Sequence, residues 1–181
     1  MIPPGVTRAD LLENQAATYR HEGQAGKITL LLGAGNTSFL IPGDILAKLF
    51  GEGHVVIFKP NPLNEYLGPL VEYAFRSLIE SGYMQVIYGG AEQGAYLSHH
   101  ELVDDLHMTG SHRTFEAIVF GPGEQGAKHK VARNPQMEKR FTAELGNITP
   151  VIVVPGDWSA DEIQMQGIKI ATWLVYNAGF A

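Results

Sequence analysis

Several residues of this chain could do chemistry at places where an α/β fold exposes its side chains. Lys59 ends the apolar run "HVVIFKP", and Ser111 follows a glycine in "HMTGSHRTF". Glu144 lies in "TAELGNITP", and Asn36 follows the Gly33-Ala34-Gly35 turn of "LLLGAGNTSFLIPG". A cation at a strand end can meet ribose oxygens or a ribose phosphate, because open α/β sheets bind ligands beyond the carboxyl ends of their strands. Taken alone, a solvated lysine is the plainer reading. Gly110-Ser111 before a helix start would offer N–H groups to a pyrophosphate, although the same residues also make an ordinary N-cap. Glu144 among apolar neighbours is expected to be partly buried. Desolvation disfavours a carboxylate's charge and suits it to general-base work near neutral pH, whereas a surface glutamate is the commoner outcome.

Gly33-x-Gly35 invites comparison with the dinucleotide fingerprint G-x-G-x-x-G and fails it. The third glycine falls on Ser38, and the next strand ends in Lys59 instead of an acid for the ribose hydroxyls. Glycines easing a tight turn account for the pattern better. Adjacent His99 and His100 have no partners at a metal-binding spacing, so no metal site is expected. The chain has no cysteine, which removes disulfides, thiolate zinc sites and a cysteine nucleophile within these residues.

The elements that would position these residues alternate between short strands and amphipathic helices. Strands are predicted at 28–32, 55–58, 85–88, 105–108 and 151–154. Each is nearly continuously apolar, as in a parallel sheet covered on both faces. Leu67, Leu70, Val71, Ala74, Phe75, Leu78 and Ile79 repeat at helical spacing, with Gly82 placed for a C-terminal cap. A shorter helix follows Pro42, and a last one opens on a Ser159/Glu162 capping box. Residues 121–139 read as an exposed connection, and both tryptophans as packing residues. The expected fold class is α/β, an open, mostly parallel sheet with helices on both faces. Residues 1–27 would be a lead-in segment and 28–181 one domain.

Composition narrows the function. With 19 acidic residues against 13 basic ones, the chain has no basic footprint for nucleic acid or anionic lipid. Its apolar runs are too short to cross a bilayer, and its start shows no secretory signal, so the cytoplasm is the expected compartment.

The order and spacing of these motifs resemble the cofactor-binding region of the aldehyde dehydrogenase superfamily, from about Ile28 to Ala181. The resemblance implies a Rossmann-like domain using NAD or NADP, an aldehyde as small-molecule partner, and a homo-oligomeric parent enzyme. It assigns Asn36 to the oxyanion hole, and Lys59, Gly90, Gly94, Gly110 and Ser111 to the cofactor. In the Glu-Leu-Gly-Gly motif, here Glu144-Leu145-Gly146-Asn147, it makes Glu144 the general base and Leu145 a cofactor contact. It identifies "NAGFA" (177–181) with the stretch that precedes the nucleophilic cysteine, so that cysteine is expected next and the chain itself is expected to be inactive.

The departures from the family pattern are Ala34-Gly35 for Pro-Trp, Asn147 for glycine, and Phe115 for the second glycine after Ser111. Pro62 stands where NAD-preferring members often carry a ribose-binding glutamate, which leaves room for NADP. Glu144 favours acid release over transfer to CoA. A CoA-acylating relative and a non-catalytic nucleotide-binding module are the alternatives.

Overall fold

The computed structural model describes residues 7–15, 19, 25–146 and 150–176. Five parallel strands form one sheet: β1 (Ile28–Leu32), β2 (Val55–Lys59), β3 (Met84–Val86), β4 (Asp105–Gly110) and β5 (Arg140–Leu145), in the order β3-β2-β1-β4-β5. The chain moves from β1 one way to β2 and β3, then crosses back to β4 and β5. Right-handed crossovers therefore place the two sets of helices on opposite faces.

The residue pattern follows from that burial. Leu30 and Leu31, neighbours on β1, are both fully buried, so each face of the strand needs its own cover. Leu31, Val56, Phe58, Met84 and Val86 pack with Ile41 and Ile45 of α2 (Leu40–Leu46). The same face takes Val71 of α3 (Gly68–Ala74) and Leu78 and Ile79 of α4 (Arg76–Glu80). Leu30 and Leu106 pack on the other face with Leu97 of α5 (Ala91–His99) and Ile118 of α6 (His112–Phe120). A short α1 (Leu11–Asn14) precedes the sheet, α7 (Gly123–Val131) follows α6, and α8 (Ala160–Val175) closes the described chain.

Three expectations are corrected. The fifth strand is 140–145, whereas Val151–Val154 are 50–81% exposed and form no strand. Paired along β4, "RFTAEL" directs Phe141 into the core, where it meets the Phe115 ring at 4.9 Å. Apolar content alone favoured 151–154; the free edge of β4 went to the strand that the α6–α7 crossover delivers. Residues 121–139 are not simply a connection, since α7 lies within them. The helix expected from Leu67 to Ile79 breaks at Phe75 into α3 and α4 and is led by a 3-10 turn (Pro62–Leu67). Gly82 has φ +79°, as a cap at that position requires.

The capping box of α8 is present, with Ser159 Oγ accepting from the Glu162 N–H and the Glu162 carboxylate accepting from the Ser159 N–H. The helix buries no residue, and Trp158 and Trp173 are 42% and 55% exposed, so neither tryptophan is a packing residue here. No helix among the described residues is long and apolar enough to cross a membrane.

At the amino ends of the strands lies a charge network built around buried Lys48 and Asp105. Lys48, on a π-helical turn (Ala47–Gly51), reaches Glu52 at 2.8 Å and Asp105 at 3.2 Å. Arg140 bonds the same two carboxylates. Burial pushes the Glu52 carboxyl up, but Lys48 and Arg140 outweigh it and hold the group at about 2. Burial also holds the His54 imidazole below its ordinary value, against Glu52 and Asp105.

Removing Lys48 takes away one of the two cations that pair the buried Asp105 carboxylate and leaves it to the more exposed Arg140 alone. Lys48→Met is therefore expected to destabilise the fold by about 3 kcal/mol, read from the urea midpoint at neutral pH. Glu52 contributes stability above its ordinary 4.5, and that contribution fades as pH falls toward 2. Lys48→Met should flatten this acid limb.

Candidate functional site

The sheet reverses its order between β1 and β4, so the crevice beyond their carboxyl ends is the natural ligand site. The loop after β1 forms one wall. If Gly33 carried a Cβ, it would come within 2.8 Å of the Phe58 ring, and at Gly35 within 2.9 Å of the Asn61 side chain. These glycines let the loop press against the end of β2 and do not cradle a phosphate. Buried Asn64 pins the loop by donating to Ala34 O at 2.9 Å and Thr37 O at 3.4 Å. Asn36, between these anchors, is half-buried.

Alternation along the strands sorts the remaining residues by face. Thr29 pairs with Asp105, and the Thr29 Oγ1–Asp105 Oδ1 contact at 3.4 Å puts both on the α2 face. His107 and Thr142, 2.8 Å apart, share that face, and so therefore do Thr109 and Glu144, which are paired in register. Lys59, Gly110 and Leu145 point toward the α5–α6 face.

Lys59 is 5% exposed, although it is a lysine at a strand end, so the solvated reading is wrong. Burial lowers its pKa, while the charge of Glu65 raises it. Its stem runs under α5, where a Cβ on Gly94 would lie 3.7 Å from Lys59 Cε. The ammonium bonds Pro60 O at a long 3.4 Å. Gly90 caps α5, its N–H donating to Gln93 Oε1 at 2.8 Å. The structure thus brings Lys59 and Gly94 together, with Gly90 one turn away.

Ser111 is the N-cap of α6, accepting from the Thr114 N–H at 3.2 Å. That bond does not exclude a ligand, because the N–H groups of His112 and Arg113 still precede the first internal helix bond, Phe115 N–H to Ser111 O. Phe115 packs down on Phe141 and is directed away from this helix end.

Glu144 departs from expectation. It lies within β5 and is exposed, not partly buried among apolar neighbours. Its β4 neighbour in register is Thr109, whose buried Oγ1 has no hydrogen-bond partner among the described residues. Because β4 lies between β1 and β5, about 10 Å of sheet separates the Asn36 loop from Glu144. Asn147 and 177–181 lie outside the described residues.

Sequence reasoning missed Asn64, Glu65 and the convergence of Glu52, His54 and Asp105, whose ligand atoms lie within 4.8 Å of one another. The proline-led turn "NPLNEY" was the available signal for the first two. No local spacing could reveal the third, since Asp105 is far away along the chain. Lys48 and Arg140 already neutralise its carboxylates, so the trio requires no cation.

Comparison with known proteins agrees with this geometry. The aldehyde dehydrogenase family model matches residues 17–172. The chain is 29% identical over 123 residues to 4-trimethylaminobutyraldehyde dehydrogenase A of Danio rerio, covering 67% of this chain and 22% of that protein. It is 28% identical over 163 residues to N-succinylglutamate 5-semialdehyde dehydrogenase of Novosphingobium aromaticivorans, covering 90% and 30%. Thus it spans less than a third of these relatives. The substrate-bound structure of Staphylococcus aureus AldH superposes with a TM-score of 0.56 at 22% identity, covering 85% of this chain and 30% of that one. Succinic semialdehyde dehydrogenase from Streptococcus pyogenes, solved with NADP+, gives 0.53 at 20%, covering 86% and 31%. At such identities these likenesses show the fold. On the family match across most of its length, this chain belongs to the aldehyde dehydrogenase family.

Proposed function

We propose that the chain forms the nicotinamide-dinucleotide-binding part of an enzyme that oxidises a small aldehyde to a carboxylic acid. A cysteine outside these residues would be the nucleophile, in a homo-oligomer. The observation that carries this reading is the buried Lys59, its stem beneath Gly94, at the carboxyl end of the strand next to the sheet's reversal point.

The residues present fit such a cofactor. Lys59 would hold the adenosine ribose, Gly90 and Gly94 would let the dinucleotide approach α5, and Gly110 and Ser111 would present the start of α6 to its pyrophosphate. Leu145 would border the same face. When bound, the nicotinamide ring accepts the hydride that the aldehyde carbon gives up. Asn36 would donate to the oxygen that becomes negative when a thiolate attacks the carbonyl. Glu144 would take a proton from the water that releases the acid. Its exposure at the end of β5 leaves it open to water.

In the complete gene product, Asn36→Ala is expected to lower kcat by about 100-fold to 1,000-fold, measured by steady-state reduction of the cofactor. Glu144→Gln should slow release of free acid by about 100-fold or more while leaving acyl transfer to added CoA largely intact. Equal acid release by variant and parent would favour the CoA-acylating alternative. Gly94→Ala separates stability from binding. The new methyl meets the Lys59 stem at ordinary contact distance and gains about 0.5–1 kcal/mol of helix stability, yet it fills space on α5 where the dinucleotide would approach. Thermal unfolding should show no loss of stability, and calorimetry should show weaker dinucleotide binding.

A further inference from the structure

We infer that Asn64 is a positioning residue for the reaction: it holds the loop after β1 so that Asn36 presents its amide to the developing oxyanion. The inference rests on the reading of Asn36 given above and extends it to a residue of the 3-10 turn.

Asn64 donates on both sides of Asn36. Its Nδ2 reaches Ala34 O at 2.9 Å and Thr37 O at 3.4 Å. Asparagine suits this place because a single amide nitrogen carries two hydrogens and can serve two carbonyls. Both hydrogens are spent on backbone, so Asn64 acts through the loop and not on a substrate. Asn64 is 8% exposed and Ala34 1%, so bulk water does not replace these bonds. The turn that carries Asn64 is itself fixed. The Asn64 N–H donates to Asn61 O at 2.8 Å, and Asn61 Oδ1 accepts the Leu63 N–H at 3.0 Å.

Two further contacts seat the loop on the same segment. The Gly33 N–H donates to Lys59 O at 2.9 Å, and the Asn61 side chain lies where a Cβ on Gly35 would meet it at 2.9 Å. Residues 59–64 therefore form a template for residues 33–37, and Asn36 stands between the two carbonyls that Asn64 holds. A short side chain follows its backbone, so these carbonyls set where the Asn36 amide lies. Its place matters, because an oxyanion donor works only within about 3 Å of the charge it stabilises. A misplacement of about 1 Å can cost about 100-fold in rate.

A double-mutant cycle on the complete gene product, read by steady-state kinetics, tests this. Asn64→Ala should lower kcat by about tenfold to 100-fold, while calorimetry shows dinucleotide affinity little changed. In an Asn36→Ala background the same substitution should have almost no further effect, since the group it positions is gone. An unchanged kcat in folded Asn64→Ala, or equal losses in the two backgrounds, would overturn the role of Asn64. So would a parallel loss of dinucleotide affinity, which marks a residue that serves the fold alone. Circular dichroism checks folding. If Asn64→Ala does not fold, Asn64→Asp takes its place, because it keeps the side chain's shape and exchanges the donor for an acceptor; the same outcomes decide. Should Asn36→Ala by itself leave kcat unchanged, the oxyanion reading fails, and this inference with it.

Discussion

Everything in this molecule hangs on the burial of β1 from both sides. A strand whose adjacent residues Leu30 and Leu31 are both fully buried cannot lie against a single layer. It requires helices above and below and neighbours along both edges. Its two edges are taken by β2 and β4, which lie on opposite sides of the point where strand order reverses. The loops after β1 and β4 therefore diverge and leave a crevice, and Asn36 and Ser111 stand on its two rims. The candidate site follows from how this strand is covered.

The two ends of the sheet do different work. At the amino ends, Lys48, Glu52, Asp105 and Arg140 satisfy one another and tie the π-helical turn to β4 and β5. At the carboxyl ends, two buried polar groups are held apart among the described residues: Lys59 has one long bond to Pro60, and Thr109 Oγ1 has no partner. Close mutual pairing gives stability and leaves little for a ligand to bond. Polar groups held apart give up some stability in exchange for binding capacity.

Much of the fold could be read locally. Four of the five strands fell where short apolar runs predicted them, because a strand covered on both faces needs nothing more than apolar continuity. The fifth did not. "RFTAEL" alternates, whereas Val151–Val154 is continuously apolar, so the rule that found the interior strands chose the wrong edge strand. An edge strand is selected by the crossover that delivers it and by contacts such as Phe141 with Phe115, neither of which is a local property. The break at Phe75 has a similar origin, since periodicity describes one straight helix while the core draws Phe75, Leu78 and Ile79 inward.

By itself the sequence determined four of the five strands, the alternation of strand and helix, and the spacing of motifs that marks the aldehyde dehydrogenase family. Those features depend on side-chain type and on separations of a few residues. Only the tertiary structure decided that Lys59 is buried, that Glu144 is exposed on β5, and that Gly33 and Gly35 serve packing. It alone brought Asn64 to Ala34 and Asp105 to Lys48. Burial, charge pairing and close approach arise between segments far apart in the chain, and their sign depends on what the fold sets beside them.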